Sequence, residues 1–440
     1  MMTSDSHTLF SFLAQQVKKF VEEHHRDHFA ETPDHHLQLG FTFSFPVDQR
    51  AVNKGYLLRW TKGFDIADAI GKDVCELLQK EIDALGIPVT VAALVNDTVG
   101  TLMARSYAAP GNTGTLLGAI FGTGTNGAYV EKLSRITKIA KPGSEVVEYD
   151  TSTGEMVVNT EWGSFDNAMK ILPDTAYDRQ LDAHSFNPGI QMFEKRVSGM
   201  FLGEILRAAI LGLKNDVGLF STVEIKEDAA INRPWSVDTS VLSHIEADDS
   251  EDLSTTKSVL KEQLGVPAAL VSTEEARAVK ILVHAIGKRS ARLSSVPIAA
   301  ILIATGKMKP SESLDVSMKN LSLFGQVIQA IKSMFIGQPP AADIPATTTT
   351  VKGDKDAATN KEELEVIDIG VDGSVVEFYP GFEQYVREAL REVPEVGADN
   401  EKRITMGVSK DGSGVGAALI ALVAAKMAGI PAAAVAADGL

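Results

Sequence analysis

Val89 to Val95 is an unbroken run of apolar and β-branched residues, and it ends on Asn96-Asp97-Thr98. A run this short and this apolar reads as a strand buried on both faces. Thr98 to Tyr107 then reads as a helix, with Asp97 or Thr98 as its N-cap. Leu116 to Phe121 is a second apolar run that ends on Gly122-Thr123-Gly124-Thr125, and Ala128 to Glu131 reads as the strand beyond that turn. A buried strand, a helix and another buried strand in succession argue for an α/β or α+β chain. Ligands of such folds bind in a cleft at strand ends. Asn96 and Asp97 are delivered to one such end.

The remaining pattern is mixed in the same way. Phe10, Leu13, Val17, Phe20 and Val21 recur at helical spacing, and Gly71 to Leu85 carries a second apolar helical face. Phe41 to Val47 alternates and ends at Pro46, like a strand. Pro188 to Leu213 predicts one long amphipathic helix, and Glu275 to Leu293 another. Ile367 to Tyr379 predicts two short strands around Asp372-Gly373, a hairpin signal. Phe382 to Glu392 predicts a helix and Ile404 to Val408 a strand. Val415 to Ala425 is too short to span a bilayer and reads as a buried helix. Gln338 to Glu363, with Pro339-Pro340 and four threonines in a row, reads as a surface linker. Leu321, Phe324, Val327, Ile328, Ile331 and Phe335 just before it would form one amphipathic helix.

Charge narrows the partners. The 440 residues carry a net charge of −16, which argues against general nucleic-acid binding and suits a soluble cytoplasmic protein. An anionic substrate then needs a locally amide-lined or positive site. The single Cys75 excludes an internal disulfide framework. The start of the chain has no basic region leading into an apolar stretch, so no secretory signal is read there. The sequence carries no signal of oligomeric state.

Asp97 taken alone reads as a helix cap. Asn96 beside it adds an amide donor and acceptor at the same strand end, which suits a cleft. Gly122-Thr123-Gly124-Thr125 taken alone reads as a hairpin turn, yet its glycines also let backbone amides approach phosphate oxygens. No Gly-Lys-Ser/Thr follows, so it is not a P-loop. A base beside a phosphate cradle is what phosphoryl transfer to an alcohol requires. Asp411-Gly412-Ser413-Gly414 opens the last helix and could offer phosphate its first amides, or be a plain turn. Thr61-Lys62, Glu161 and Glu194 read locally as surface loops and solvated charges. His24 and His28 have i,i+4 spacing within the cluster His24, His25, His28, His35 and His36. No third ligand is evident, and a solvated helix end accounts for them; no metal-ligating residue is assigned.

Leu39-Gly40-Phe41-Thr42-Phe43-Ser44-Phe45-Pro46, Arg59-Trp60-Thr61-Lys62-Gly63-Phe64 and Asn96-Asp97-Thr98 occur in that order. They are followed by Gly122 to Gly127, Asn159-Thr160-Glu161-Trp162-Gly163-Ser164-Phe165-Asp166 and Phe193-Glu194-Lys195. Together they resemble the sugar-site motifs of the eukaryotic hexokinase family, the fungal glucokinases most of all. Gly370-Val371-Asp372-Gly373-Ser374 and the Asp411 to Gly414 turn resemble the family's nucleotide half. The resemblance runs from about Leu9 to Ala425, interrupted near Lys309 to Glu365.

The resemblance implies an α/β, two-lobed fold of the actin-like ATPase type. Residues 1–96 would form the small lobe, joined by a C-terminal helix at 426–440. Residues 97–425 would form the large lobe, with an insert at about 309–365. It implies ATP-dependent phosphorylation of glucose, and of other hexoses, at the 6-hydroxyl, with Mg2+ held mainly by the nucleotide phosphates. Asp97 becomes the expected base. Ser44, Thr61, Lys62, Asn96, Asn126, Glu161 and Glu194 become expected sugar contacts. Gly122, Thr123, Gly412, Ser413 and Gly414 become expected nucleotide contacts. Family members carry an earlier strand-turn-strand with a Gly-Gly-Thr phosphate motif that this sequence does not supply. The resemblance therefore implies a small lobe incomplete at its N-terminus. A catalytically impaired glucose sensor on the same scaffold is the alternative reading. An actin-like or chaperone-like ATPase is a third, and the dense set of sugar-site motifs argues against it.

Overall fold

A computed structural model describes residues 2–25, 36–109, 114–138, 151–308 and 365–430. The apolar run at Val89 is strand β4 (Val89–Val95), paired in parallel with β1 (Leu37–Thr42). A hairpin of β2 (Val47–Ala51) and β3 (Lys54–Leu57) lies beside them. Helices α1 (Ser6–His24) and α2 (Val74–Ala84) cover this region, capped by Asp5 and Asp73, whose side chains accept backbone N–H groups. Their apolar faces meet in one core that includes Phe10, Leu57, Ile66, Leu78, Ile82 and Val91. The strand predicted over Phe41–Val47 divides. β1 stops at Thr42, and β2 begins at Val47, just past Pro46, which has no N–H to give a ladder.

From β4 the chain enters α3 (Asp97–Ala108) and a five-stranded sheet ordered β7-β6-β5-β8-β9. These are β5 (Thr115–Phe121), β6 (Thr125–Lys132), β7 (Glu155–Asn159), β8 (Ile367–Asp372) and β9 (Ile404–Val408). β8 is parallel to β5 and β9, while β6 is antiparallel to β5 and β7. Among the described residues, the α-helices on the chain between β7 and β8 are α4 (Ala176–Ala183), α5 (Glu194–Val197), α6 (Gly199–Val217), α7 (Ser240–Glu246), α8 (Ser254–Val259) and α9 (Thr273–Ala304). After β8 come α10 (Ser374–Phe378), α11 (Phe382–Glu392), α12 (Gly397–Glu401) and α13 (Gly412–Met427). Leu117, Phe121, Trp162, Phe201, Ile369 and Phe382 belong to a second, larger core. A small third cluster of Ala92, Ala93, Val95, Ala417 and Ala421 sits where α13 meets β4.

Three predicted elements take another form. The hairpin at Asp372-Gly373 is a strand followed by a helix. β8 already has β5 on one side and β9 on the other, so no edge is free for a hairpin partner. Gly373 also packs its Cα against the Phe121-Gly122 backbone, where a Cβ would come within 2.6 Å. The single helix over Pro188–Leu213 is two. The break is at the buried, extended Ser198, beyond which Gly199 and Met200 give their N–H groups to the carbonyls of Gly122 and Thr123 at 2.7 and 3.1 Å. The last helix is buried only along Gly412, Gly416, Ala417, Ala421 and Ala425, while Val415, Leu422 and Val423 are exposed. Small residues are what allow it to lie close on α3 and β1.

The predicted linker, the amphipathic helix before it and nearly all of the 309–365 insert lie outside the described residues, as does the 426–440 helix beyond residue 430. Of the histidine cluster, His28 and His35 lie outside them. Among the described residues no three acidic, histidine or cysteine side chains gather in a metal-binding group. No described helix is long and apolar enough to cross a membrane.

Candidate active site

The C-terminal end of β4 delivers Asn96 as the true N-cap of α3, in place of the predicted Asp97 or Thr98. Its Oδ1 accepts the N–H and the hydroxyl of Thr98 at 3.0 and 2.6 Å. Capping by Asn96 leaves Asp97 as the first helical residue, and its Oδ1 also accepts the Thr98 N–H, at 2.8 Å. The carboxylate sits at the positive end of a helix.

β5 and β6 meet through Gly122-Thr123-Gly124, with Gly122 N–H bonded to Gly124 O at 3.0 Å. Gly124 leaves room for the Glu194 side chain of α5: a Cβ there would sit 2.7 Å from Glu194 Oε2. That same oxygen accepts the Thr125 N–H at 2.8 Å. Trp162 is buried beneath the turn and donates its indole N–H to Thr125 Oγ1 at 2.9 Å. Asn126 then faces β7, where its amide donates to Asn159 Oδ1 and Glu161 Oε1 at 2.8 and 3.1 Å.

On the opposite wall Lys62 donates to Ser44 O at 3.2 Å and lies over the Phe45 ring. Phe43, Phe45, Trp60 and Phe64 form the aromatic bed under this loop, pinned by Trp60 Nε1 donating to Ile66 O at 2.7 Å. Burial raises the Glu194 carboxyl to about 7, opposed by the Thr125 N–H and by Lys62. Burial likewise raises Asp372, opposed by the Gly373 and Gly412 amides and reinforced by Asp411.

These elements converge on one cavity of about 440 Å3. Of the residues predicted from sequence, Ser44, Thr61, Lys62, Asn96, Asp97, Gly122, Thr123, Asn126, Glu161, Glu194 and Ser413 line it. Gly412 is instead packed in the wall against Ser409 and Thr101, and Gly414 touches nothing through its Cα face. Asp372, Gly373, Ser374 and Gln191 also line the cavity and were not predicted as site residues. Asp372 ends an apolar run just as Asn96 does, a signal hidden by the hairpin reading of Asp-Gly. Gln191 carries no sequence signal. Lys62, Glu161 and Gln191 adopt left-handed backbones, with φ of 57°, 52° and 56°. Such conformations are uncommon for side-chain-bearing residues and concentrate at functional sites.

A second cavity of about 550 Å3 shares Thr123 and Ser374 with the first. Met200, Leu202, Val375 and Phe378 make it apolar, and Thr239, Ser243 and His244 add polar groups. A polar cleft joined through a glycine-threonine turn to an apolar slot suits a polyol beside a nucleotide. That is the class of a two-substrate phosphotransferase.

Comparison with known proteins gives the family. A family model described as Hexokinase matches residues 116–423, and a second with the same description matches residues 1–107. A glucokinase of Aspergillus niger is 52% identical over 97% of this chain and 78% of its own length. Glucokinase-1 of Saccharomyces cerevisiae is 41% identical over 96% of this chain and 76% of its own length. A hexokinase from Schistosoma mansoni, solved in complex with glucose, superimposes with a TM-score of 0.69 at 29% identity, covering 96% of this chain and 76% of that one. The chain belongs to the hexokinase family, and its fold is the actin-like ATPase fold of those enzymes.

Proposed function

We propose that this chain transfers the γ-phosphoryl group of ATP to the 6-hydroxyl of glucose, and of related hexoses, in the cytosol. The observation that carries the reading is a single cavity where Asp97 lies among amide, hydroxyl, ammonium and carboxylate groups beside the Gly122-Thr123 turn. A hexose offers both donors and acceptors, and this wall offers both in return. Ser44, Thr61, Lys62, Asn96, Asn126, Glu161 and Glu194 hold the sugar, and Gln191 joins them. Asp97 accepts the 6-hydroxyl proton as that oxygen attacks the phosphorus in line. Gly122, Thr123 and Ser413 meet the phosphates, and the apolar second cavity takes the base.

Asp372 is a half-buried carboxylate facing the phosphate end, and among the described residues no cation is ion-paired to it. It fits a Mg2+ ion carried in by the nucleotide, which needs one or two protein carboxylates besides phosphate and water. Bound Mg2+ would offset charge on the phosphate oxygens. Residues 1–96 and 97–425 act as two lobes that close on the sugar and exclude water. The names of the relatives favour a kinase over a sensor.

The test is coupled detection of glucose 6-phosphate from the purified chain, with Asp97→Asn alongside. The variant should lose turnover by at least about 10²-fold and still bind glucose. Glucose binding without sugar-dependent ADP formation in the unaltered chain would favour the sensor. Near-normal turnover by the variant would remove Asp97 from the role of base.

A further inference from the structure

Asp97 and Asp372 reach the cavity from different elements, α3 and β8. Transfer needs the two held at a fixed separation, since the base and the phosphate end must face each other. What sets that separation lies at the far end of the same pair. Arg105 is two turns along α3 from Asp97, about 12 Å at 1.5 Å per residue. Its Nε donates to both oxygens of Asp368, at 3.2 and 3.0 Å, and Nη2 donates to Oδ1 at 2.5 Å. Asp368 is at the start of β8 and Asp372 at its end. The Thr115 hydroxyl adds a bond to Asp368 Oδ2 at 2.7 Å, so the carboxylate is held from β5 as well.

The sheet is shaped to admit this arginine. Gly118 of β5, Gly370 of β8 and Gly407 of β9 are register partners and form a row across three strands. A Cβ at Gly118 would come within 2.6 Å of the Thr98 carbonyl and the Leu102 nitrogen. A Cβ at Gly370 would come within 2.8 Å of the Arg105 Cβ, and one at Gly407 would overlap its guanidinium. α3 therefore lies on bare backbone, and Arg105 lies along the row to reach Asp368. The buried fork is directional, because a guanidinium matches a carboxylate in only a few orientations. α3 also packs closely on α13 at Gly100, and the fork adds a directional tie to β8.

We propose that Arg105 is a positioning residue: its fork on Asp368 fixes where α3 sits along β8, and so where Asp97 sits relative to Asp372. The consequence for turnover rests on the hexose-kinase reading; the seating of the helix does not. Arg105 and Gly407 do not line the cavity, so neither touches substrate.

Three variants of the full chain test it. Arg105→Met is paired with Asp368→Asn, so that no unpaired buried charge is left. Gly407→Ala displaces the guanidinium while keeping both partners. Arg105→Lys keeps the charge without the fork. The first two should lower kcat by roughly 10- to 100-fold with glucose KM little changed, and the lysine variant should recover part of the loss. Hydrogen–deuterium exchange should quicken at the amides of residues 98–101, the far end of α3 from the mutation. Unaltered kcat per folded molecule, or unaltered exchange at 98–101, overturns the proposal. A wild-type chain without sugar-dependent turnover would sink the kinase reading alone, and the exchange measurement would still decide the role of Arg105.

Discussion

Glu194 Oε2 accepts the backbone N–H of Thr125 at 2.8 Å, directly beneath the glycine turn that separates the two cavities. One carboxylate thus supports the Gly122-Thr123 turn and lines the first cavity. It is buried enough to titrate at about 7 instead of 4.5. The neutral form is favoured in the folded chain, so the folded chain holds this proton over a range where the unfolded chain has released it. The resulting stability is full below 4.5 and is lost as pH rises toward 7. The thermal midpoint of the ligand-free protein should therefore fall across that window, and Glu194→Gln should flatten the fall. Glucose binding should move the other way, because an ionised carboxylate is the stronger acceptor for sugar hydroxyls. Glucose KM should fall as pH rises through about 7, and Glu194→Gln should raise KM by roughly 10- to 100-fold. A KM that is flat with pH in the unaltered chain would mean that Glu194 does not titrate against the sugar.

The next prediction concerns the joint between the two cores. α3 and α13 cross at Gly100 and Gly416, where a Cβ on Gly100 would sit 2.5 Å from the Ser413 carbonyl and one on Gly416 would overlap Gly100. Gly40 of β1 meets Ala417 in the same way. The cavity lies at this crossing, with Asn96 and Asp97 on one helix and Ser413 on the other. Gly416→Ala should force the helices apart and cost about 1–3 kcal/mol, read from chemical denaturation. ATP-dependent turnover should fall with it. A variant of unchanged stability and rate would show that the crossing yields without consequence.

Lys195 carries a further prediction. Its side chain is 1% exposed, and its ammonium donates to Asp182 Oδ1 at 2.6 Å and Asn187 O at 2.7 Å. Arg196 beside it donates to Pro173 O, Met192 O and Asp174. Two buried cations thus anchor the four-residue helix that presents Glu194. Lys195→Met should destabilise the chain by about 3 kcal/mol, since the Asn187 carbonyl loses its partner and Asp182 is left with only the Gly189 N–H. An unaltered denaturation midpoint would contradict this.

Much of this site was legible from residue order. The apolar run at Val89 followed by Asn96-Asp97 located a strand end and its polar residues without reference to the rest of the chain. The run ending at Phe121 did the same for the turn. The errors arose where tertiary neighbours overruled local preference. Asp372-Gly373 has hairpin chemistry, yet β5 and β9 already occupy both sides of β8. The helix over Pro188–Leu213 has continuous apolar spacing, yet the carbonyls of Gly122 and Thr123 take the amides at its break. Gln191 enters the cavity through a left-handed backbone that no periodicity encodes. Glu161 and Glu194 looked like solvated charges because burial is a property of what packs on them. The glycine row under Arg105 is invisible in sequence, since its three members are register partners more than 30 residues apart at the closest.

The two cavities can be separated by experiment. Ser243 lines the second cavity and not the first, and no described element places it against the sugar side. A tryptophan there would project its indole into an apolar slot of about 550 Å3. If that slot holds the base of ATP, Ser243→Trp should raise the KM for ATP by at least about tenfold, the equivalent of 1.4 kcal/mol. Glucose affinity, measured by equilibrium binding without nucleotide, should stay as it was. Equal weakening of both ligands would indicate a distorted fold instead of a blocked slot. No change in the KM for ATP would place the nucleotide elsewhere, and Thr123 and Ser374 would then lose their role as the link between the two substrates.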